Sequence, residues 1–349
     1  MEFGIWSQGE GRQTQAAITY KEDMHEVIIA DEIGFREAWI AEHWGSSYKD
    51  VISAVDPFLC QAAMVTKQIK LGPGVRSLPY HHPLSVAAEA SVVDNLLEGR
   101  YMAGFGVGGT PQGARQHGVD AEVQRAMTHE AMDLIMRAWT AEEPFDFEGR
   151  FWRGTGIDVN PKPFQKPYPP IGLACLKSLE TPELAGKKGL LPLLSHFSGT
   201  ADIRAMSDAY LRGAASVGRT ASRRDFRVTR YIHVTDSVEQ GKREIHATDN
   251  AERRMQLALG MGRYEPFFPP GGGKDDITID FMIDNGHFCV GDSDTVFEEL
   301  KKIYDDSGGF GVLMLLTGKN WVTSEQRDRS MRLFAEHVAP RLAVLDPED

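Results

Sequence analysis

The feature that most constrains this chain is a rhythm in which a short apolar run is followed by an amphipathic stretch, over and over. Phe3-Gly4-Ile5-Trp6 opens it as a first strand. Glu37-Ala38-Trp39-Ile40-Ala41 and Ile69-Lys70-Leu71-Gly72 supply the second and third, and residues 101–105 the fourth. The rhythm resumes at Ile171-Gly172-Leu173-Ala174 and continues through residues 190–194, 226–234 and 312–316. Between the runs, apolar residues recur at helical spacing, as with Met24, Val27 and Ile28, or Phe58, Leu59, Ala62 and Ala63. Helices are predicted over residues 84–97 and about 123–139. Thr19-Tyr20-Lys21-Glu22 reads as a capping box opening the first helix, and Thr323-Ser324-Glu325-Gln326 as one opening the last. Repeated strand–helix units require parallel strands with helical crossovers. Eight such units favour closure, so the expected fold is α/β, a (β/α)8 TIM barrel.

Two stretches interrupt the pattern. Residues 145–170 are dense in Pro and Gly and read as a hairpin or irregular structure. Residues 260–285 form an insertion before the last βα unit, carrying Tyr264, Phe267, Phe268, Gly271-Gly272-Gly273 and Phe281. That length and composition predict an active-site lid or mobile loop, with a disordered insertion as the alternative. No linker divides the 349 residues, so one barrel domain is expected over 1–349.

A net charge of −12 argues against a chain-wide surface for nucleic acid or anionic membrane. Cys60, Cys175 and Cys289 are odd in number and far apart, which leaves no disulfide framework and suits a reducing, cytoplasmic setting. No apolar run is long enough to predict a membrane span, and the first residues do not read as a signal peptide.

In such barrels the chemistry sits just past the C-terminal ends of the strands. There His43 follows the second strand, beside Glu42 and Trp44. A histidine in that position can act as acid or base near neutral pH, or simply bond to a neighbouring loop. His81 and His82 precede Pro83, where a histidine serves a site or caps a helix. Gly74 after Pro73 permits close approach of a flat ligand, or a mundane turn. Gly104 to Gly109 satisfies GxGxxG, but the helix that a dinucleotide fingerprint needs is delayed by Thr110-Pro111-Gln112-Gly113. Those glycines are read as keeping the mouth open for a flat ring. Lys177, Ser178 and Thr181 offer a cation, hydroxyls and N–H groups at a helix start, a phosphate site or ordinary capping. Arg125, on the preceding helix, is read either as reaching the same phosphate or as a solvated surface charge. The strand ends lack the paired His or Asp ligands of a metal-dependent barrel hydrolase, and no metal is expected.

The run Trp39-Ile40-Ala41-Glu42-His43-Trp44 resembles the second-strand signature of the bacterial luciferase-like flavin monooxygenases. So do residues 69–75 with Leu78-Pro79-Tyr80-His81-His82-Pro83, the stretch Leu97-Glu98-Gly99-Arg100-Tyr101, and the C-terminal stretch from Leu315 to Arg341. The resemblance covers essentially the whole chain and is specific for a family, not for a substrate. It implies FMN at the strand ends, received reduced from a separate NAD(P)H:flavin reductase. Dioxygen then gives one oxygen atom to a small hydrophobic organic substrate. It implies catalytic roles for His43 and His82, and flavin contacts at Gly74, Val75, Gly106, Ala174, Arg125, Lys177, Ser178 and Thr181. The Gly74–Val75 peptide is implied to be a non-prolyl cis bond. A homodimer is expected on the same ground. Val107 stands where luciferase proper has an arginine, so light emission is not implied, and Lys177 is placed to supply that charge. Relatives on this fold that use a deazaflavin, or bind flavin with little catalysis, are the alternatives.

Overall fold

The computed structural model describes residues 1–7, 9, 15–44, 51–108, 111–176, 178–196, 198–247, 271–273, 276–317 and 321–348. Strands β1 (Glu2–Ser7), β2 (Glu37–Ile40) and β3 (Lys70–Pro73) alternate with helices α1 (Ala16–Glu32) and α2 (Val55–Val65). Then come β4 (Arg76–Ser77), α3 (Pro83–Leu96), β5 (Ala103–Gly106), α4 (Pro111–Gln116) and α5 (Gln124–Thr140). A hairpin, β6 (Phe145–Glu148) and β7 (Arg153–Ile157), fills the predicted interruption and pairs antiparallel. The barrel resumes with β8 (Ile171–Cys175), α6 (Glu180–Lys188), β9 (Leu191–Leu194), α7 (Thr200–Ser216), β10 (Arg227–Val234) and α8 (Val238–His246). It ends with α9 (Ile279–Asp284), β11 (Phe288–Gly291), α10 (Ser293–Ser307), β12 (Val312–Leu316), α11 (Ser324–Leu333) and α12 (Ala339–Ala343).

Every pairing in the main sheet is parallel, and its path runs β3, β2, β1, β12, β10, β9, β8, β5, β4. The two ends of that path are the halves of one barrel strand, β3 and β4, and a Leu71–Tyr101 bridge helps close the ring. The expected eight-stranded barrel is therefore the architecture. A further strand, β11, was not expected: it pairs with the upper half of β10, Tyr231 opposite Phe288 through Val234 opposite Gly291. Its four residues, Phe-Cys-Val-Gly, are too short a run to show a period.

The lumen is filled by the protein's own side chains. Trp39 is fully buried there with Met102, Leu193, Val312 and Met314. A Cβ on Gly104 or Gly172 would stand 2.9 or 2.8 Å from atoms of the Trp39 indole, and one on Gly74 2.7 Å from Trp39 Cβ, so these glycines leave the room that side chain needs. At the lower rim Glu37 accepts from Trp39 Nε1 at 2.9 Å and meets Arg227 Nη2 at 2.7 Å. Both charges are buried, which only a close, hydrogen-bonded pair makes tolerable.

One expected cap differs. Helix α1 begins at Ala16, so Thr19 lies within its first turns and is fully buried rather than capping. The other expected box is present: Thr323 N donates to Gln326 Oε1 at 2.8 Å, and Gln326 N to Thr323 Oγ1 at 3.3 Å.

Candidate active site

The strand ends bring most of the sequence-predicted residues to one mouth. The Gly74–Val75 peptide is cis. Gly74 N donates to Ile40 O at 2.7 Å, which ties this bend to the end of β2, three residues before His43. On the adjacent strands, a Cβ on Gly106 would lie 2.5 Å from Val75 Cγ2 and 3.5 Å from Ala174 Cβ. Val75, Gly106 and Ala174 thus form one continuous platform of small groups across the bend before β4 and across β5 and β8. The glycines do more than hold the mouth open. Gly74 and Gly104 make room for Trp39, and Gly106 makes room for Val75.

Beyond the platform lies the N-terminus of α6. Arg125 Nη1 donates to Ser178 Oγ at 3.3 Å and to Glu180 Oε2 at 2.5 Å. Ser178 Oγ accepts from Glu180 N at 3.2 Å, and Thr181 sits in the first turn of the helix. A guanidinium, a hydroxyl and open helix N–H groups therefore converge where an anion gains most. Lys177 lies outside the described residues, as do residues 260–270 and 274–275 of the expected lid.

His43 is partly buried and its backbone N donates to Ile52 O at 3.0 Å. His82 is exposed and caps α3, its Nδ1 accepting from Leu84 N at 3.3 Å. Its neighbour His81 turns the other way, and its Nε2 lies 2.9 Å from Glu42 Oε1.

Glu42 is the residue that the sequence reading quoted without assigning a role. Its side chain is fully buried yet meets Trp44 Nε1 and Ser77 N at 3.3 Å each, with Arg76 Nε at 3.7 Å from its other oxygen. Burial works to raise its pKa, but the hydrogen bond and charge of His81, with Arg76, hold it below the usual carboxylate value. Arg76 also reaches Asp56 at 2.5 Å and Glu89 at 3.0 Å. Burial opposes its charge, but Asp56 above all, with Tyr101 and Glu42, outweighs burial and keeps it firmly protonated. A carboxylate and an arginine thus tie the end of β2 to β4, next to His43 in the chain. The signal for Glu42 was available: a charged residue two places beyond an all-apolar strand end, next to a histidine. Tyr80 and His117 were missed. Their rings stack at 4.6 Å, and Trp44 meets His117 edge-on at 4.5 Å, which walls the β2–β5 side.

The opposite wall is aromatic. Tyr231 stacks on Trp321 at 4.3 Å, Phe288 packs against both, and His196 meets Tyr231 edge-on at 4.8 Å. Trp6 and Phe281 pack against this cluster together with buried Ile279, Met282 and Ile283. Among the described residues no group of three or more His, Cys, Asp or Glu could hold a metal ion, and no helix is long and apolar enough to cross a membrane.

Known proteins resemble this chain in sequence and in overall fold. The luciferase-like monooxygenase family matches residues 1–309. The 4-hydroxyprotoasukamycin monooxygenase of Streptomyces nodosus subsp. asukaensis is 32% identical over 318 residues, 89% of this chain and 84% of that one. The limonene 1,2-monooxygenase of Rhodococcus erythropolis is 28% identical over 94% of this chain and 82% of its own length. Among solved structures, the oxygenating constituent of 3,6-diketocamphane monooxygenase from Pseudomonas putida, a type II Baeyer–Villiger monooxygenase in complex with FMN, superposes with a TM-score of 0.89. It is 25% identical and covers 99% of each chain. By sequence and by fold, then, the chain belongs to the luciferase-like monooxygenase family.

Proposed function

We propose that this protein is the oxygenase half of a two-component flavin monooxygenase. It takes reduced FMN delivered by a separate NAD(P)H:flavin reductase, with dioxygen, and transfers one oxygen atom to a small hydrophobic substrate. The observation that carries this reading is the placement of a flat platform, Val75, Gly106 and Ala174, beside an anion-ready helix start with Arg125 and Ser178. The platform suits a planar ring and the helix start a phosphate. FMN has both, and the P. putida relative is described with FMN bound. An incoming phosphate would replace Glu180 on Arg125, while Ser178 and the first N–H groups of α6, at Thr181, complete the cradle. Lys177 is proposed to add a charge there.

Reduced FMN, when bound, supplies the electrons that activate dioxygen. The protein's part is to hold, dry and protonate. Val75 and the cis peptide at Gly74 support the ring from β4. The wall of Trp6, Tyr231, Phe288 and Trp321 excludes water and offers an apolar surface to the substrate. His43 delivers a proton from its imidazole to the reduced oxygen, and the Glu42–Arg76–His81 network fixes the segment that carries it. His82 is proposed to contact the site only from its rim. Limonene and diketocamphane, named for two relatives, are small and apolar, in keeping with the aromatic wall.

Two further readings go with this one. The exposed Met64 and Val65 of α2 and Val92 and Leu96 of α3 form an apolar face suited to a second copy, so we propose a homodimer. Three free cysteines, two of them buried, suit a reducing cytoplasm.

The test is anaerobic titration with reduced FMN, followed by rapid mixing with oxygenated buffer and a screen of monoterpenes and cyclic ketones. Saturable binding, then an absorbance transient distinct from reduced and oxidised flavin, and oxygenated product are expected. Tight binding with no oxygen-dependent turnover on any compound would make the protein a flavin carrier. Preference for a reduced deazaflavin over reduced FMN would make it a hydride-transfer enzyme.

A further inference from the structure

A gap in the barrel wall gives the mouth a polar side arm. Strand β10 pairs with β9 only as far as Val228, opposite Leu194, and with β11 only from Tyr231, opposite Phe288. Thr229 and Arg230 fall between, so this edge of β10 has no neighbouring strand there. A cavity of about 590 Å³ lies at the gap, lined by His196, Thr200, Arg230, Asn285, His287 and Glu299 among others. It adjoins the aromatic wall through two elements. His196 also meets Tyr231 edge-on at 4.8 Å. Helix α9 carries Phe281 against the wall, and Asn285, which follows the helix, lines the cavity.

Arg230 is only 4% exposed. Its Nη1 donates to Thr229 O at 2.7 Å and its Nη2 to Ser198 O at 2.8 Å, which occupies two of its five N–H donors. Its Nε has no partner among the described residues and is not one of their sealed, unbonded polar atoms. No carboxylate among those residues pairs with Arg230, and burial lowers its pKa to about 10, so it stays charged at neutral pH. A buried group with spare donors gains most from an acceptor that arrives with a ligand.

The charges around it select against a ligand that is itself an ion. Asp202, Asp284, Glu299 and Asp306 line the same cavity. Lys242 matches Asp284 and Lys302 matches Asp306, at 2.5 Å each. Asp202, which accepts from Gly199 N at 3.2 Å, offsets the charge of Arg230. Burial pushes Glu299 up to about 7, which leaves it partly ionised at neutral pH, and holds His287 down at about 4, which leaves it neutral. An incoming anion would meet these carboxylates, and an incoming cation would meet Arg230. An uncharged group that accepts from Arg230 and donates to the acids meets neither.

We propose that this side arm binds the polar end of the substrate, an uncharged carbonyl group and an amide above all, while the apolar end rests on the aromatic wall. The carbonyl oxygen accepts from Arg230, and the amide N–H groups donate to the acids. The substrate is then amphipathic and longer than a cyclic terpene, because the cavity adds room for an organic group beyond the wall. The placing of the apolar end rests on the oxygenase reading above.

The experiment is isothermal titration calorimetry on protein saturated with oxidised FMN, so that binding is read without turnover. The probes share one apolar body and differ at its end: 4-phenylbutanamide, butylbenzene, 4-phenylbutanoate and 4-phenylbutylamine. The amide is expected to bind about tenfold tighter than butylbenzene, and tighter than either ion. Arg230→Met should abolish the preference for the amide and leave butylbenzene unchanged. Ala201→Phe, which fills the arm from an exposed position in the first turn of α7, should do the same and carries the test if Arg230→Met fails to fold. An amide no tighter than butylbenzene, or a preference that survives both variants, would overturn the arm. Tightest binding by the carboxylate or the amine would overturn the uncharged class. The expected binding pattern without oxygen-dependent turnover would support the arm and count against the oxygenase reading alone.

Discussion

Strand β2 carries the same three-residue pattern at both of its ends, and the two copies do different work. At the lower end Glu37 accepts from the indole of Trp39, two residues on; just past the upper end Glu42 accepts from the indole of Trp44, again two residues on. Each glutamate also faces an arginine from another barrel strand, Arg227 below and Arg76 above. Below, the contacts lie between 2.7 and 3.2 Å, the arginine reaching both carboxylate oxygens, and every group is buried. Above, they stretch to between 2.9 and 3.7 Å, and they are shared among Ser77, His81, Trp44 and Arg76, which Asp56 and Glu89 also claim. The lower glutamate is saturated by two partners and closes the barrel floor. The upper one spreads its charge over groups of β4 and of the adjoining loops, one residue along the chain from His43. The same local chemistry is a clamp where it is sealed and a positioning device where it opens toward a ligand.

The sharpest way to break this comparison is Glu37→Ala. It leaves Arg227 buried without a counter-charge, so a stability loss of about 3–5 kcal/mol is expected in chemical denaturation. Turnover per folded molecule should be unchanged. If activity fell while stability held, the floor would be part of the site and the division would fail. Next in size is His43→Ala, expected to reduce coupled product formation by about 10²-fold, close to 2.7 kcal/mol, with reduced-FMN binding preserved. Full coupled turnover in that variant would remove His43 from proton delivery.

How much of this could be read from the sequence divides along the same line. The barrel was legible, because eight apolar runs separated by helical spacing leave few other folds. So was the gathering of Gly74, Val75, Gly106 and Ser178, since strand ends fall on one face of any such barrel, whereas Ala174 and the role of Arg125 came only from the family resemblance. What fills the lumen was not legible. Trp39 needs space from Gly74, Gly104 and Gly172, which lie 35 to 133 positions away, and no local pattern links a glycine to a distant indole. The two Glu-x-Trp copies look alike as sequence. Only the ring closure that brings Arg227 under β2, and the turn that brings Arg76 and His81 over it, tells them apart. Thr19 failed for a related reason: its spacing to Glu22 fits a cap, but the helix had begun a turn earlier, and tertiary burial claimed the hydroxyl.

A milder change tests the upper device itself. Glu42→Gln keeps the shape and can still accept from Ser77 N and Trp44, but it loses the charge that faces His81 and Arg76. A loss of about tenfold in turnover, roughly 1.4 kcal/mol, is expected, with FMN affinity nearly unchanged. Its pH behaviour distinguishes positioning from packing. Because the folded pKa of Glu42 lies below its ordinary 4.5, the stability that its charge contributes is present at neutral pH and lost as pH falls through that lowered value. The wild-type protein should therefore lose stability more steeply than Glu42→Gln below about pH 4.5. Parallel acid limbs would mean that Glu42 is not held ionised by its neighbours.

The smallest effect is expected from Trp44→Phe. The bond from its Nε1 to Glu42 is long at 3.3 Å, the ring is only partly buried, and Glu42 keeps three other partners, so the loss should be about 0.5–1 kcal/mol. The ring's edge-on contact with His117 survives in Phe, which preserves most of that wall. The equivalent change at the floor, Trp39→Phe, removes a 2.9 Å bond from a fully buried acceptor and leaves a void in the space that Gly104 and Gly172 open for the indole. Its cost should exceed that of Trp44→Phe clearly when both are measured by the same denaturant titration. Two equal losses would mean that the upper network is as rigid as the lower one, and that Glu42 stabilises the barrel rather than aligning the segment that carries His43.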